Sequence, residues 1–161
     1  YVITKRLYAL ASGKIARKSG SMTDLYALLH FKDLGDERGK LVVVESGIDI
    51  PFNIQRAFYI YGSDSEIVRG KHANRESEFV LINVAGTSRV MVTDGIRKEI
   101  VVLDKPMKGI YLPKMVWKEM YDFSPDSVLL VLASTHYNGN EYIRSYDDYC
   151  AAMGYQEKFN D

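Results

Sequence analysis

From Leu41 to Ala133 the pattern along the chain is that of short strands, apolar stretches broken by polar turns. Apolar, β-branched and aromatic runs fall at 41–44, 54–61, 79–84, 89–92, 99–103, 109–112, 116–121 and 128–133. Turn formers separate them: Gly62-Ser63-Asp64, Gly86-Thr87, Asp94-Gly95, Lys105-Pro106 and Ser124-Pro125-Asp126. Asp94-Gly95 between two strand-like runs predicts a tight hairpin. About eight short strands with regular turns predict an all-β domain, either a sandwich or a closed barrel. One helix is expected, over 140–153 and stopped by Gly154, because Tyr142, Tyr146, Tyr149 and Met153 share one helical face. That stripe reads as packing against the sheets.

Composition narrows the class without changing the picture. The 161 residues fit one domain, and 21 basic against 21 acidic residues give no case for a nucleic-acid or membrane surface. No stretch approaches the roughly 20 apolar residues of a membrane helix. The apolar run from Leu7 to Ala11 is too short for a secretory signal. A single cysteine, Cys150, gives no intrachain disulfide and suits a reducing, cytoplasmic setting. Charge is uneven, however: residues 1–21 carry Lys5, Arg6, Lys14, Arg17 and Lys18 and no acid, ahead of Ser19-Gly20-Ser21-Met22. This reads as a basic N-terminal extension or leader (1–21) before a domain spanning 22–161.

The chemistry concentrates in Arg69-Gly70-Lys71-His72-Ala73-Asn74-Arg75-Glu76-Ser77-Glu78, followed by Gly86. It has the shape of the first motif of cupins, small β-barrel proteins in which two histidines flank one residue and a glutamate follows. On a strand, His72 and Asn74 share a face and are expected to point inward together. The second such motif, glycine, proline and then histidine, is matched by Gly109-Ile110-Tyr111-Leu112-Pro113, but Trp117 and Lys118 stand where the histidine belongs. Only His72 and Glu78 remain as good ligand types, short of the three or four a transition metal needs, so the barrel is read as metal-free. His30, His136 and Cys150 have no motif context and read as structural or exposed.

Taken together, Arg69-Gly70-x-His72-Ala73, the strand Gln55-Arg56-Ala57-Phe58-Tyr59-Ile60-Tyr61, Trp117-x-Glu119-Met120, Leu130-Val131-Leu132-Ala133-Ser134 and Tyr142-Ile143-Arg144-x-Tyr146-Asp147 resemble the dTDP-4-dehydro-6-deoxyglucose 3,4-ketoisomerase family. The resemblance runs from about Leu25 to Met153. It implies a metal-free, homodimeric, cytoplasmic cupin (a jelly roll with a C-terminal helix) that acts on a dTDP-linked keto-sugar for surface polysaccharides. One departure stands out: the family usually carries a second histidine where this chain has Asn74.

Moving a ketone from C4 to C3 passes through an enediol. It needs a base near C3 and a group that moves protons between the oxygens, and it needs no cofactor. His72, which titrates near neutrality, is expected to be the acid–base group, with Tyr59 stabilising the charged oxygen. Arg56 and Arg69 are expected on the diphosphate. Asn74, Asn83, Lys118 and Glu119 complete the expected substrate contacts, although adjacent Lys118 and Glu119 must face opposite sides of a strand. A non-catalytic sugar-nucleotide-binding cupin and a related 3,5-epimerase are the competing readings, the first of them permitted by the lost second histidine.

Overall fold

The computed structural model describes residues 25–155; the basic leader at 1–21 and the domain start at Met22 lie outside them. Ten strands and one helix follow in order: β1 (Ala27–His30), β2 (Arg56–Tyr61), β3 (Arg69–Asn74), β4 (Phe79–Ala85), β5 (Ser88–Thr93), β6 (Lys98–Leu103), β7 (Lys108–Leu112), β8 (Trp117–Tyr121), β9 (Val128–Ala133), β10 (Tyr142–Ile143) and α1 (Tyr146–Ala152). They form two five-stranded antiparallel sheets, β1-β7-β4-β9-β2 and β10-β3-β8-β5-β6. This is the all-β jelly-roll class with a C-terminal helix. No helix among the described residues is long and apolar enough to cross a membrane.

Successive side chains of each strand point to opposite faces of its sheet and so divide between layers. Phe79 and Leu81 of β4, Val90 and Val92 of β5, and Leu129 and Val131 of β9 meet between the sheets in the main core. Their neighbours Val80, Ile82 and Leu132 turn to the outer face of the first sheet. There Phe31, Ile50 and Phe52 cover them, which is why β4 opens with four consecutive apolar residues, Phe79 to Ile82. Burial of each such side chain contributes roughly 1.5–3 kcal/mol. On the outer face of the second sheet, Ala73, Met91 and Trp117 pack under Ile143 and Tyr149, with Cys150 alongside.

Three expectations change. The run at 41–44 is not a ladder strand. Val42 makes only an isolated bridge to Asp33, and Val42 and Val44 turn their side chains onto the first sheet's outer face while Leu41 and Val43 stay exposed. The Asp94-Gly95 hairpin joins β5 to β6, but its loop takes in residues 94–97, with Thr93 opposite Lys98 and Asp94 accepting from the backbone of Ile96 and Arg97. The helix is half its expected length. Tyr142 and Ile143 pair instead with Asn74 and Ala73 as β10, and α1 begins only after Ser145 caps the N–H of Asp148. Tyr149 then anchors the helix by directing its hydroxyl to the carbonyls of Thr93 and Met115.

Candidate active site

The site is built from a kink in β3. Gly70 (φ +84°) and Lys71 (φ +53°) adopt left-handed backbone, and the pairing with β8 shifts register between Gly70 and His72. A Cβ on Gly70 would lie 2.8 Å from the Lys118 carbonyl oxygen, so this position requires glycine. Beyond the kink Ala73 faces outward and His72 inward, with His72 directly across from Lys118 of β8. Phe58, His72, Phe79, Leu81, Lys118, Met120, Val131 and Tyr142 line a cavity of about 110 Å³ between the sheets. Its walls are mostly apolar, and its two basic side chains are cross-strand neighbours.

The imidazole is oriented from below. Nδ1 of His72 lies 2.9 Å from the Gly70 carbonyl oxygen, which can only accept, so Nδ1 carries the proton and Nε2 keeps the basic lone pair. Burial pushes the His72 pKa down to about 4, and the charge of Lys118 pushes the same way, against the Gly70 carbonyl. Lys118, 5% exposed, donates from Nζ to Asn74 Oδ1 at 2.7 Å and lies 4.5 Å above the Phe79 ring. Burial lowers its pKa to about 7, with Glu141 pulling in the opposite direction.

Behind this pair lies a polar line. Asn74 Nδ2 donates to Glu141 Oε1 at 3.1 Å. The Glu141 carboxylate also accepts from the backbone N–H groups of Glu76 (2.7 Å) and Ser77 (2.8 Å) and from the Ser77 hydroxyl. Burial pushes the Glu141 pKa up, but these donors outweigh it and hold the carboxyl below its ordinary range. Glu141 therefore stays ionised and completes the line Lys118–Asn74–Glu141.

Aromatic rings and arginines form the rim. The Tyr142 ring lies 4.8 Å from His72 and 5.7 Å from the Tyr137 ring. The Arg56 guanidinium sits 5.4 Å from the Phe58 ring and 5.5 Å from Tyr137, while Arg144 covers Tyr142 at 4.6 Å. Nε and Nη2 of Arg56 are buried and have no hydrogen-bond partner among the described residues. Two unsatisfied donors of a permanent cation beside the mouth form a ready anion fork.

Of the residues expected in the site, the structure brings together His72, Lys118 and, one step behind, Asn74, with Arg56 at the rim. Asn74 does not line the cavity; it is 1% exposed and engaged by Lys118 and Glu141. Four others are elsewhere. Tyr59 is 64% exposed, because Phe58 and Ile60 take the inward positions of β2 and leave Tyr59 and Tyr61 outside. Arg69 is exposed and donates to Ser63 Oγ. Asn83 is buried in a knot of its own, bonded to Ala85 O, Ser127 and Ser88. Glu119, opposite in facing to Lys118 as alternation demands, accepts from the Trp117 indole on the outer surface. Glu78 likewise turns outward to accept from Tyr111, away from His72. No group of three His, Cys, Asp or Glu side chains among the described residues is placed to hold a metal ion. Glu141, Phe58, Tyr137 and Tyr142 were not foreseen. Glu141 and Tyr142 fall in the segment expected to be helical, and the pairing of β10 with β3 brings Tyr142 to the cavity and Glu141 behind Asn74.

Two antiparallel sheets enclosing an apolar cavity with basic side chains on adjacent strands define a cupin-type small-molecule site. Residues 24–154 match the family described as FdtA: WxcM-like, C-terminal, and the chain belongs to that family. It is 43% identical over 122 residues to the TDP-4-oxo-6-deoxy-alpha-D-glucose-3,4-oxoisomerase of Aneurinibacillus thermoaerophilus, a match covering 76% of this chain and 88% of that one. A 3,4-ketoisomerase from Helicobacter canadensis superposes with a TM-score of 0.78 at 40% identity, over 80% of this chain and 97% of the other. A histidine-to-asparagine variant of the QdtA 3,4-ketoisomerase from Thermoanaerobacterium thermosaccharolyticum, in complex with TDP-4-keto-6-deoxyglucose, gives 0.80 at 38% identity, over 87% and 100%. The resemblance drawn from the sequence motifs is thereby confirmed at the level of family.

Proposed function

We propose that this protein is a metal-independent 3,4-ketoisomerase that converts a TDP-linked 4-keto-6-deoxyhexose to its 3-keto isomer through an enediol. The observation that carries the reading is the state of His72. Its Nδ1 is tied to Gly70, and burial keeps it neutral at physiological pH, so Nε2 is a free base in a cavity lined mostly by apolar side chains. The C4 carbonyl of the substrate acidifies the C3 proton, and His72 takes it. The unpaired Arg56 fork at the rim suits the diphosphate, and the Phe58, Tyr137 and Tyr142 rings give the nucleoside and sugar apolar faces to lie on. The family relationship supports the same substrate class.

The test is incubation with TDP-4-keto-6-deoxyglucose in deuterated buffer, following the ring protons by NMR. The parent should form the 3-keto product and wash deuterium into the ring. His72→Asn should bind TDP normally and lose about 10²–10⁴-fold in turnover, the usual worth of a general acid–base group. Full turnover in that variant would place the base elsewhere. A second reading, a sugar-nucleotide-binding module without turnover, draws on one observation: Asn74 cannot act as a base, and both ends of its amide are already engaged. Tight binding by a parent that neither exchanges deuterium nor forms product would establish that reading.

The working form is taken to be a cytoplasmic homodimer. The edge strand β2 supports this, since it leaves Tyr59 and Tyr61 exposed at a sheet edge that pairs with no other strand among the described residues. Light scattering at micromolar concentration should give twice the chain mass; a monomer would rule the dimer out.

A further inference from the structure

A ketone shift needs two proton movements: one from C3 to C4, the other from the oxygen on C3 to the oxygen on C4. His72 accounts for the first. Tyr59, expected from the sequence to serve the oxygens, faces away from the cavity. We infer that Lys118 is the second catalytic residue, the group that carries the proton between the two substrate oxygens, held for that task by Asn74 and Glu141. This inference rests on the ketoisomerase reading above.

The geometry singles out Lys118. It is directly across the strand pair from His72, it lines the same cavity, and among the described residues its Nζ is the only ammonium there. A buried lysine normally has a carboxylate partner. Lys118 instead bonds the neutral oxygen of Asn74, and the ionised Glu141 is kept one side chain further back. Nζ has two further N–H bonds, and no protein acceptor for them is found among the described residues. The groups facing it are the neutral His72 and Asn74 of β3, the Phe79 ring of β4, Tyr142 of β10 and, behind Asn74, Glu141. Arg144, further out over Tyr142, adds positive charge that His72 feels. A lysine so placed gains a proton at little benefit and loses it at little cost near neutrality, as a shuttle requires.

The steps balance without an added reactant. Nε2 of His72 takes the C3 proton, the C–H electron pair becomes the C3=C4 bond, and the carbonyl π pair moves onto the C4 oxygen, which takes a proton from the Lys118 ammonium. The neutral enediol then returns. The Lys118 amine takes the proton of the C3 hydroxyl, the O–H pair becomes the C3 carbonyl, and the C3=C4 pair takes the proton from His72 at C4. Both side chains end as they began, and the substrate is neither oxidised nor reduced overall. Asn74 is a positioning residue here, because it touches Lys118 and not the cavity. The chain thus replaces the histidine usual at that place with an asparagine that aims a lysine.

The test uses Lys118→Met, which keeps the length and apolar stem of the side chain, and Lys118→Arg, which keeps the charge but does not release its proton. Both should bind TDP within about threefold of the parent and form product at least 100-fold more slowly. The pH profile supplies a readout that a structural role would not move. The first step needs Lys118 protonated, so the parent's rate should fall as pH rises through about 7, and that limb should vanish from the residual activity of Lys118→Arg. Turnover of Lys118→Met within a few fold of the parent, or an alkaline limb near 7 that persists in Lys118→Arg, would overturn the assignment while leaving the isomerase reading intact. A parent without product or exchange would remove that reading, and this inference with it.

Discussion

Gly70 holds His72 in place: its carbonyl oxygen lies 2.9 Å from the imidazole Nδ1, across a backbone kink that puts the histidine inside the protein. One residue therefore sets both the direction of the base and its tautomer. In Gly70→Ala the added methyl meets the Lys118 carbonyl at 2.8 Å with φ at +84°, so the kink must relax. Stability should fall by about 1–3 kcal/mol in urea denaturation, the usual cost of a non-glycine residue in such backbone. Turnover per folded molecule should fall as well. Loss of stability with unchanged turnover would separate the kink from the orientation of His72.

The burial of His72 makes a prediction about acid. The unfolded chain protonates its histidine near 6.5, the folded one near 4. Between those values the unfolded state binds more protons, so this side chain makes stability fall as pH drops from about 6.5 to about 4 and contributes no slope above that window. Urea midpoints measured across this range should decline less steeply for His72→Gln than for the parent.

Arg56 should show the opposite trade between stability and binding. Its buried Nε and Nη2 have no hydrogen-bond partner among the described residues, so Arg56→Ala should leave the melting temperature unchanged or raise it. Affinity for TDP should nevertheless fall by about 10-fold or more, the worth of a charge-assisted hydrogen bond, and should become less sensitive to salt. Calorimetric titration at two ionic strengths, beside a thermal melt, checks both halves.

Asn83 belongs to the scaffold. Its amide ties the end of β4 to Ser88 and Ser127, so Asn83→Ala should lower stability by about 1–3 kcal/mol through the buried groups it leaves unpaired. TDP affinity of the folded fraction, measured by titration, should not change. A weakened affinity would return Asn83 to the site.

The strands could be read from the chain because the runs at 79–84, 89–92, 99–103 and 128–133 are rich in β-branched and other large apolar residues and lie between turn formers. His72 and Lys118 were visible for a different reason, the first as a histidine of the first cupin motif and the second as the residue beside the place where the second motif lacks its histidine. Periodicity fails where an apolar residue has more than one surface to cover. Val42 and Val44 lie over a sheet instead of joining it, and the tyrosine stripe is split when Tyr142 pairs with Asn74. Ala27–His30, four residues with no alternation, becomes a strand only because β7 offers an edge. Glu141 gave no local sign at all, since its partners Asn74 and Ser77 lie 67 and 64 positions away.

That long reach has a consequence for the order in which the protein becomes competent as it is made. The first sheet, His72 and Lys118 are complete once β9 has been synthesised, yet the carboxylate that organises Asn74 and the loop after β3 arrives only with Glu141, just ahead of the strand that completes the second sheet. A nascent chain on the ribosome thus carries His72 and Lys118 before it carries the group that arranges their surroundings. Premature termination anywhere before the last strand leaves a lysine without the backing that sets its reach and its charge, so the integrity of the C-terminus is built into the chemistry of the site.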